Sequence, residues 1–106
     1  MVDLLPGTLD MLILKGLSIE PMHGFGVARW IERVTDDGLT IEEGALYPAL
    51  HRMEKRGWLA SSWRTTENRR RAKYYRVTRA GSRELAVQIA KWEGSAMAVS
   101  QVLRAE

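Results

Sequence analysis

The chain has 106 residues and a net charge of +3, and hydrophobic residues make up 45% of it. This length suits one domain, and the composition is that of an ordinary globular protein. The sequence contains no cysteine, which excludes a disulfide scaffold, a thiolate nucleophile and any cysteine-based zinc or iron–sulfur site.

The first predicted element is an amphipathic helix. Its apolar positions recur at steps of three and four residues: Leu9, Leu12, Ile13, Gly16 and Leu17. Asp10 and Lys15 are predicted to fall on the opposite side. Pro6 suits the first turn, and Pro21 enforces an end. The apolar stretch 9–17 is too short to span a membrane and lacks the marks of a targeting signal, so we expect a cytoplasmic protein with no membrane partner.

A second helix is predicted from about Gly24 to Val34. Its apolar stripe consists of Val27, Ile31 and Val34. The turn sequence Asp36–Gly38 closes the helix. His23, directly before it, is interpreted as a structural residue at the helix start. The following Leu39–Ile41 is long enough for only one or two rungs of a strand.

A third helix is predicted to begin with a capping box, in which Thr40 is the N-cap and Glu43 the third helical residue. It runs to about Arg56, and Gly57 is placed to end it. Its buried face is predicted to contain Leu46, Leu50 and Met53. Pro48 lacks the N–H that a regular helix needs, so either the helix is kinked there or its regular part begins later than the capping box suggests.

The apolar period then changes from about 3.6 residues to two, which predicts strands. One strand covers about 59–66, and a second, rich in aromatic and β-branched residues, covers 73–78. The charged segment Glu67–Arg71 lies between them. Together these segments predict a β-hairpin with a basic tip.

The last segment, from Thr78 to about Arg104, is predicted to be one long helix. Its apolar residues follow the 4-3 spacing of a heptad seam: Leu85, Ile89, Trp92, Ala96, Val99 and Leu103. A second copy of the same helix is the simplest cover for this seam, so we expect a two-fold symmetric homodimer. Trp92 is interpreted as a seam residue; the alternative is that it forms a flat wall for an aromatic effector, with Met97 as an adaptable neighbour.

The order of elements predicts a mainly α protein with a small β-hairpin. Residues 1–78 form a winged helix-turn-helix DNA-binding domain, and residues 79–106 form a C-terminal dimerisation helix. In this fold the third helix enters the major groove of DNA. A dimer would place two such helices about one DNA turn, or 34–36 Å, apart on a double-stranded, pseudo-palindromic operator.

The distribution of charge agrees with this interpretation. Residues 1–43 contain three basic and eight acidic side chains, a net charge of −5. Residues 44–79, the third helix and the hairpin, contain ten basic and two acidic side chains, a net charge of +8. Positive charge is therefore concentrated in the two elements that should meet phosphate.

The predicted DNA contacts are Ala45, Tyr47, Pro48, His51, Arg52 and Lys55 on the third helix and Arg69, Arg70, Arg71 and Lys73 in the hairpin. Arg52 has the chemistry either to bond guanine edges or to hold a phosphate. The Tyr47 hydroxyl suits a phosphate, and the arginines of the tip suit a narrow minor groove. His51 is either a base reader or an ordinary residue of the helix face.

Four stretches resemble the PadR family of transcriptional regulators. Residues 44–59, Gly-Ala-Leu-Tyr-Pro-Ala-Leu-His-Arg-Met-Glu-Lys-Arg-Gly-Trp-Leu, are similar to its Leu-Tyr-Pro and Arg-x-Leu-Glu signature, and 5–9, 23–25 and 71–81 resemble its helix starts and wing. Phe25, Met53 and the added Ala72 depart from the usual pattern.

The resemblance implies a dimeric bacterial regulator, usually a repressor. It also implies that the C-terminal helix supplies the dimer contact and that the effector, which in members where it is known is often phenolic or drug-like, is a small molecule of that kind. A single helix after the wing is typical of the short subgroup.

Other classes of function fit less well. The sequence lacks a plausible catalytic triad, a phosphate-cradling glycine loop and closely spaced metal ligands, so we expect neither an enzyme nor a cofactor nor a metal site. The alternative is a winged-helix module that binds protein without binding DNA. The basic run 69–76 argues against that alternative.

Overall fold

The computed structural model describes residues 7–106. It contains four helices and three strands in the order α1 Thr8–Ile19, β1 Met22–His23, α2 Gly24–Val34, α3 Glu43–Lys55, β2 Leu59–Thr65, β3 Arg71–Val77 and α4 Arg79–Leu103. The predicted mainly α fold with a hairpin and a long last helix is confirmed. Pro6, assigned above to the first helical turn, lies outside the described residues.

The core lies between the first three helices. Its largest completely buried side chains are Ile13, Leu14, Val27, Leu46, Leu50 and Met53. The predicted buried face of α3 is therefore confirmed. Each such side chain stabilises the fold by about 1.5–3 kcal/mol through burial. Val34, predicted to extend the stripe of α2, is instead 65% exposed, since α2 ends there.

The three strands form an antiparallel sheet in the order β1-β3-β2. The prediction of a strand at Leu39–Ile41 is wrong: the short strand is Met22–His23, which pairs with Tyr75 and Tyr74 of β3. Backbone N–H groups in the segment 39–41 donate to side chains instead of to a neighbouring strand. The Leu39 N–H donates to the Thr35 hydroxyl over 3.1 Å, and the Ile41 N–H donates to the Glu32 carboxylate over 3.0 Å. Side chains at the end of α2 therefore satisfy groups that a ladder would have used.

The start of α3 also differs from the prediction. Its N-cap is Glu42, not Thr40, and the Glu42 side chain makes no capping hydrogen bond. The helix thus begins later than the capping box indicated and then continues through Pro48 to Lys55. Pro48 and Gly44 are both exposed. Proline at this position leaves the Gly44 carbonyl without its helical partner, and the exposure of both residues gives water access to this turn, which reduces the cost.

Glycine and threonine residues fix the junction between α3 and α4. Gly57 has a φ of +79° and ends α3 as predicted. The Thr78 hydroxyl donates to the Gly57 carbonyl over 2.6 Å and accepts from the Gly81 N–H over 3.0 Å, which caps α4. A Cβ on Gly81 would lie only 2.1 Å from the Trp58 carbonyl oxygen. The first turn of α4 is therefore packed directly onto the segment that follows α3.

The predicted heptad seam divides into two parts along α4. Leu85 is buried in the core of its own chain, and Ile89 packs against that core. Further along, Trp92 is 46%, Val99 56% and Leu103 79% exposed. The outer half of α4 thus carries apolar side chains without cover from the described part of this chain.

Candidate nucleic-acid interface

The helix α3 is held from one side by a charged contact with α1. An Arg52 N–H donates to Asp10 Oδ1 over 2.7 Å. Asp10 is buried, whereas the Arg52 side chain is 45% exposed. The prediction that Asp10 lies on the solvent face of its helix is wrong, because the carboxylate meets a cation 42 residues later in the sequence. The sequence did contain one indication of this contact, namely an acidic residue inside the apolar run 9–17.

The other side of α3 is held by the hairpin. Glu54 accepts a short hydrogen bond from the Ser61 hydroxyl and a 2.9 Å bond from Lys73 Nζ. These hydrogen bonds, first from Ser61 and then from Lys73, lower the pKa of Glu54 below its ordinary value. The bond to Glu54 likewise raises the pKa of Lys73. Lys73, a predicted DNA contact, is thus placed against Glu54 and joins the hairpin to α3.

Between these two anchors α3 presents an exposed face. The predicted contacts Ala45, Tyr47, Pro48, His51 and Lys55 are all exposed there. Arg52 is at the edge of this face, paired with Asp10 as described. The structure therefore leaves one side of α3 open between α1 and the hairpin, as a recognition helix requires.

The hairpin tip is a tight turn that exposes its arginines. The Arg69 N–H donates to the Thr66 carbonyl over 2.9 Å, and the Thr66 N–H donates to the Arg70 carbonyl over 2.7 Å. Arg69 adopts a left-handed conformation with a φ of +60°, which is uncommon outside glycine. Arg69, Arg70 and Arg71 are all exposed.

A cleft of about 750 Å³ lies between the hairpin, the start of α2 and α3. It brings together four predicted contacts, namely Tyr47, Arg70, Arg71 and Lys73. His23 is at its edge in the predicted structural role, since its Nδ1 accepts from the Gly26 N–H over 2.9 Å and caps α2. The remaining predicted contacts on α3 and Arg69 do not line this cleft.

A smaller cavity of about 270 Å³ lies between the start of α1 and the middle of α4. Trp92 lines it with Met11 and Gln88, whereas Met97 does not line it and is 66% exposed. The side-chain oxygen of Gln88 is buried there without a hydrogen-bond partner within the described chain. The sequence analysis identified Trp92 but not Gln88, because a polar residue on a helix is expected to face solvent and gives no indication of a buried position.

Residues 7–106 also bear on two other kinds of site. Within them, no three His, Asp or Glu side chains come together where they could hold a metal ion. In the same range, none of the helices has the length and apolar character needed to cross a membrane.

The known proteins to which this chain is similar include transcriptional regulators. The PadR-like family of transcriptional regulators matches residues 13–87. A solved PadR-family transcriptional regulator from Eggerthella lenta is 36% identical, with a TM-score of 0.79 over 94% of this chain and 85% of that one. A solved transcriptional regulator from Clostridium thermocellum is 29% identical, with a TM-score of 0.82 over 90% and 92% of the two chains. An uncharacterized protein of Lysinibacillus sphaericus is 27% identical over 90 residues, which is 85% of this chain and 83% of that protein.

Proposed function

This chain belongs to the PadR-like family of transcriptional regulators, and on that premise we propose that it is a homodimeric, cytoplasmic repressor that binds a double-stranded operator. The observation that carries the proposal is that α3 and the basic hairpin border the same exposed cleft. The Glu54–Lys73 contact ties the two elements together, and the part of the chain that the structure describes lines the cleft between them with cations and aromatic rings but no carboxylate. A surface of this kind complements the phosphate backbone of DNA.

The proposed contacts divide into two groups. Ala45, Pro48, His51 and Lys55 lie on the open side of α3 and face base edges in the major groove. Arg69, Arg70 and Arg71 meet phosphates or enter the adjacent minor groove. Arg52 acts mainly through Asp10, which fixes the angle of α3, and its remaining N–H groups reach the DNA from the edge of the helix.

We propose that the dimer forms through the outer half of α4. The exposed Trp92, Val99 and Leu103 supply an apolar strip for an identical helix. A two-fold axis at this strip would set two copies of α3 on successive turns of a pseudo-palindromic operator, about 34–36 Å apart.

We also propose that a small aromatic ligand relieves repression by binding beside Trp92. The Trp92 ring would stack on the ligand, and the Gln88 amide, whose buried oxygen has no partner within residues 7–106, would turn to accept a hydrogen bond from it. The ligand would therefore be planar and would carry a hydroxyl or amine donor. Tryptophan fluorescence of the natural protein and of Trp92→Phe and Gln88→Leu variants tests this, since Gln88→Leu should weaken donor-bearing ligands and spare their methylated analogues.

A footprint on the DNA upstream of the protein's own gene, at low and at moderate salt, tests the proposed function. Protection of two half-sites, weakened by salt, is the expected result. The alternative, a winged-helix module that binds protein only, predicts no protection at either salt concentration.

A further inference from the structure

One face of the hairpin continues beyond the core and forms an aromatic wall. On this face Tyr75 is buried, and the next pair outward is Trp63 opposite Lys73. Trp63 is 61% exposed, and the Arg71 guanidinium lies over its ring, 5.3 Å from the ring centre. The wall thus presents a large apolar ring held next to a cation.

The opposite wall of the same cleft is also aromatic, and the cations that line the cleft are all in the hairpin. Phe25, at the start of α2, is 48% exposed, and the Arg29 guanidinium lies 4.8 Å from its ring centre. Tyr47, on α3, is 45% exposed and stands beside it. Three exposed aromatic side chains therefore line one cleft together with the buried Tyr75, and exposed apolar surface of this kind marks an interaction site.

We propose that this cleft holds the sugar–phosphate backbone of one operator strand, a contact that rests on the proposed DNA binding. In it, Trp63, Phe25 and Tyr47 pack against deoxyribose rings, while Arg70 and Arg71 bond the phosphates on either side. Sugar and phosphate contacts of this kind set the register of a protein on DNA. The cleft residues Trp63 and Phe25 are thereby assigned as DNA contacts.

The choice of occupant follows from position and charge. The cleft opens between the two elements proposed to touch DNA, and its lining within residues 7–106 contains Arg70, Arg71 and Lys73 but no carboxylate. A polyanion is the partner that such a lining favours. A continuous strand would also contact both walls, with its sugars on the aromatic rings of either wall and its phosphates on the arginines of the hairpin.

The test measures binding of a duplex of about 30 base pairs, long enough for two half-sites, over a series of salt concentrations. Trp63→Ala and Phe25→Ala should each weaken binding about five- to tenfold and leave the salt slope unchanged, since no cation is lost. Trp63→Phe should restore most of the affinity. Val34→Ala removes an exposed apolar side chain outside the cleft and should bind as the natural protein does. Circular dichroism checks that each variant is folded.

A second measurement does not depend on truncation. A benzoylphenylalanine crosslinker in place of Trp63 should attach to the duplex, whereas the same group in place of Val34 should not. Unchanged duplex affinity in both alanine variants, or a loss confined to single-stranded oligothymidylate, would overturn the inference and leave the proposed function standing. Failure of the natural protein to bind any duplex would overturn both.

Discussion

Asp10 and Arg52 lie 42 residues apart in sequence and form a 2.7 Å ion pair that joins α1 to α3. The carboxylate is buried and the guanidinium is half-exposed. A buried charge that loses its partner keeps its desolvation cost, so the Asp10 carboxylate depends on Arg52. The pair holds the proposed recognition helix on the side that faces away from the hairpin. On the hairpin side, the Glu54–Lys73 ion pair holds the same helix.

The first prediction concerns this pair. Arg52→Ala should lower the free energy of unfolding by about 1–3 kcal/mol, because it leaves the Asp10 carboxylate buried without a cation. Asp10→Asn should lower the free energy of unfolding by less, since the amide that replaces the carboxylate is uncharged and is not left as a buried charge without a partner. Urea unfolding of the two single variants and the double variant measures the coupling, and additive losses would show that the pair contributes nothing.

The second prediction concerns pH. The folded state lowers the pKa of Glu54 below 4.5 through Ser61 and Lys73, so this contribution to stability is complete above pH 4.5 and is lost as the pH falls through the lowered value. Lys73 has a raised pKa, so its contribution is complete below pH 10.5 and is lost as the pH rises through the raised value. Glu54→Gln should flatten the acid limb of a urea-midpoint profile. An acid limb as steep as that of the natural protein would contradict this role.

The third prediction compares two glycines of α4. Gly81→Ala should destabilise the protein by about 3 kcal/mol or more, because the new Cβ would meet the Trp58 carbonyl at 2.1 Å. Gly94→Ala is the matched control in the same helix. Among the described residues, nothing beyond the adjoining helix backbone lies within 4 Å of the Cβ that alanine would add, so alanine should stabilise the protein by about 1 kcal/mol through helix propensity. Thermal unfolding distinguishes the two outcomes, and equal effects would refute the close approach at Gly81.

The fourth prediction concerns the dimer. Val99→Asp combined with Leu103→Asp should give a folded monomer by light scattering, since both side chains are exposed in the single chain. Leu85→Asp is a poor test because Leu85 belongs to the chain's own core, and its substitution should unfold the protein. Val87→Asp, on α4 but off the seam, is the control and should remain dimeric. A dimer that survives the double substitution would place the interface elsewhere.

Local patterns in the sequence predicted much of the fold. The bounds of α2, the buried face of α3, the hairpin and the extent of α4 depend on periodicity, turns and caps that neighbouring residues determine. The partners of β1 and of Asp10 could not be predicted in this way. Met22 pairs with Tyr75, and Asp10 with Arg52, so both contacts depend on how distant segments pack. A two-residue strand and a single buried carboxylate leave no periodic pattern to detect.

The residues of the candidate site also differ in whether the local sequence could identify them. The residues on α3 and the hairpin tip were identifiable from their spacing and charge, because an exposed helix face and a basic turn are local features. The roles of Glu54 and Gln88, and the joining of Trp63 with Phe25 in one cleft, required the packing of separate elements.

The most direct test of DNA binding by the hairpin is the salt dependence of duplex affinity when Arg69, Arg70 and Arg71 are replaced together by alanine. A second variant, with Arg33, Arg83 and Arg104 replaced by alanine, removes the same charge from outside the proposed interface. The hairpin variant should lose affinity for every duplex sequence, and its slope of log affinity against log salt should become shallower by about two to three. The second variant should match the natural protein closely. Unchanged affinity and slope in the hairpin variant would contradict the proposed role of the hairpin.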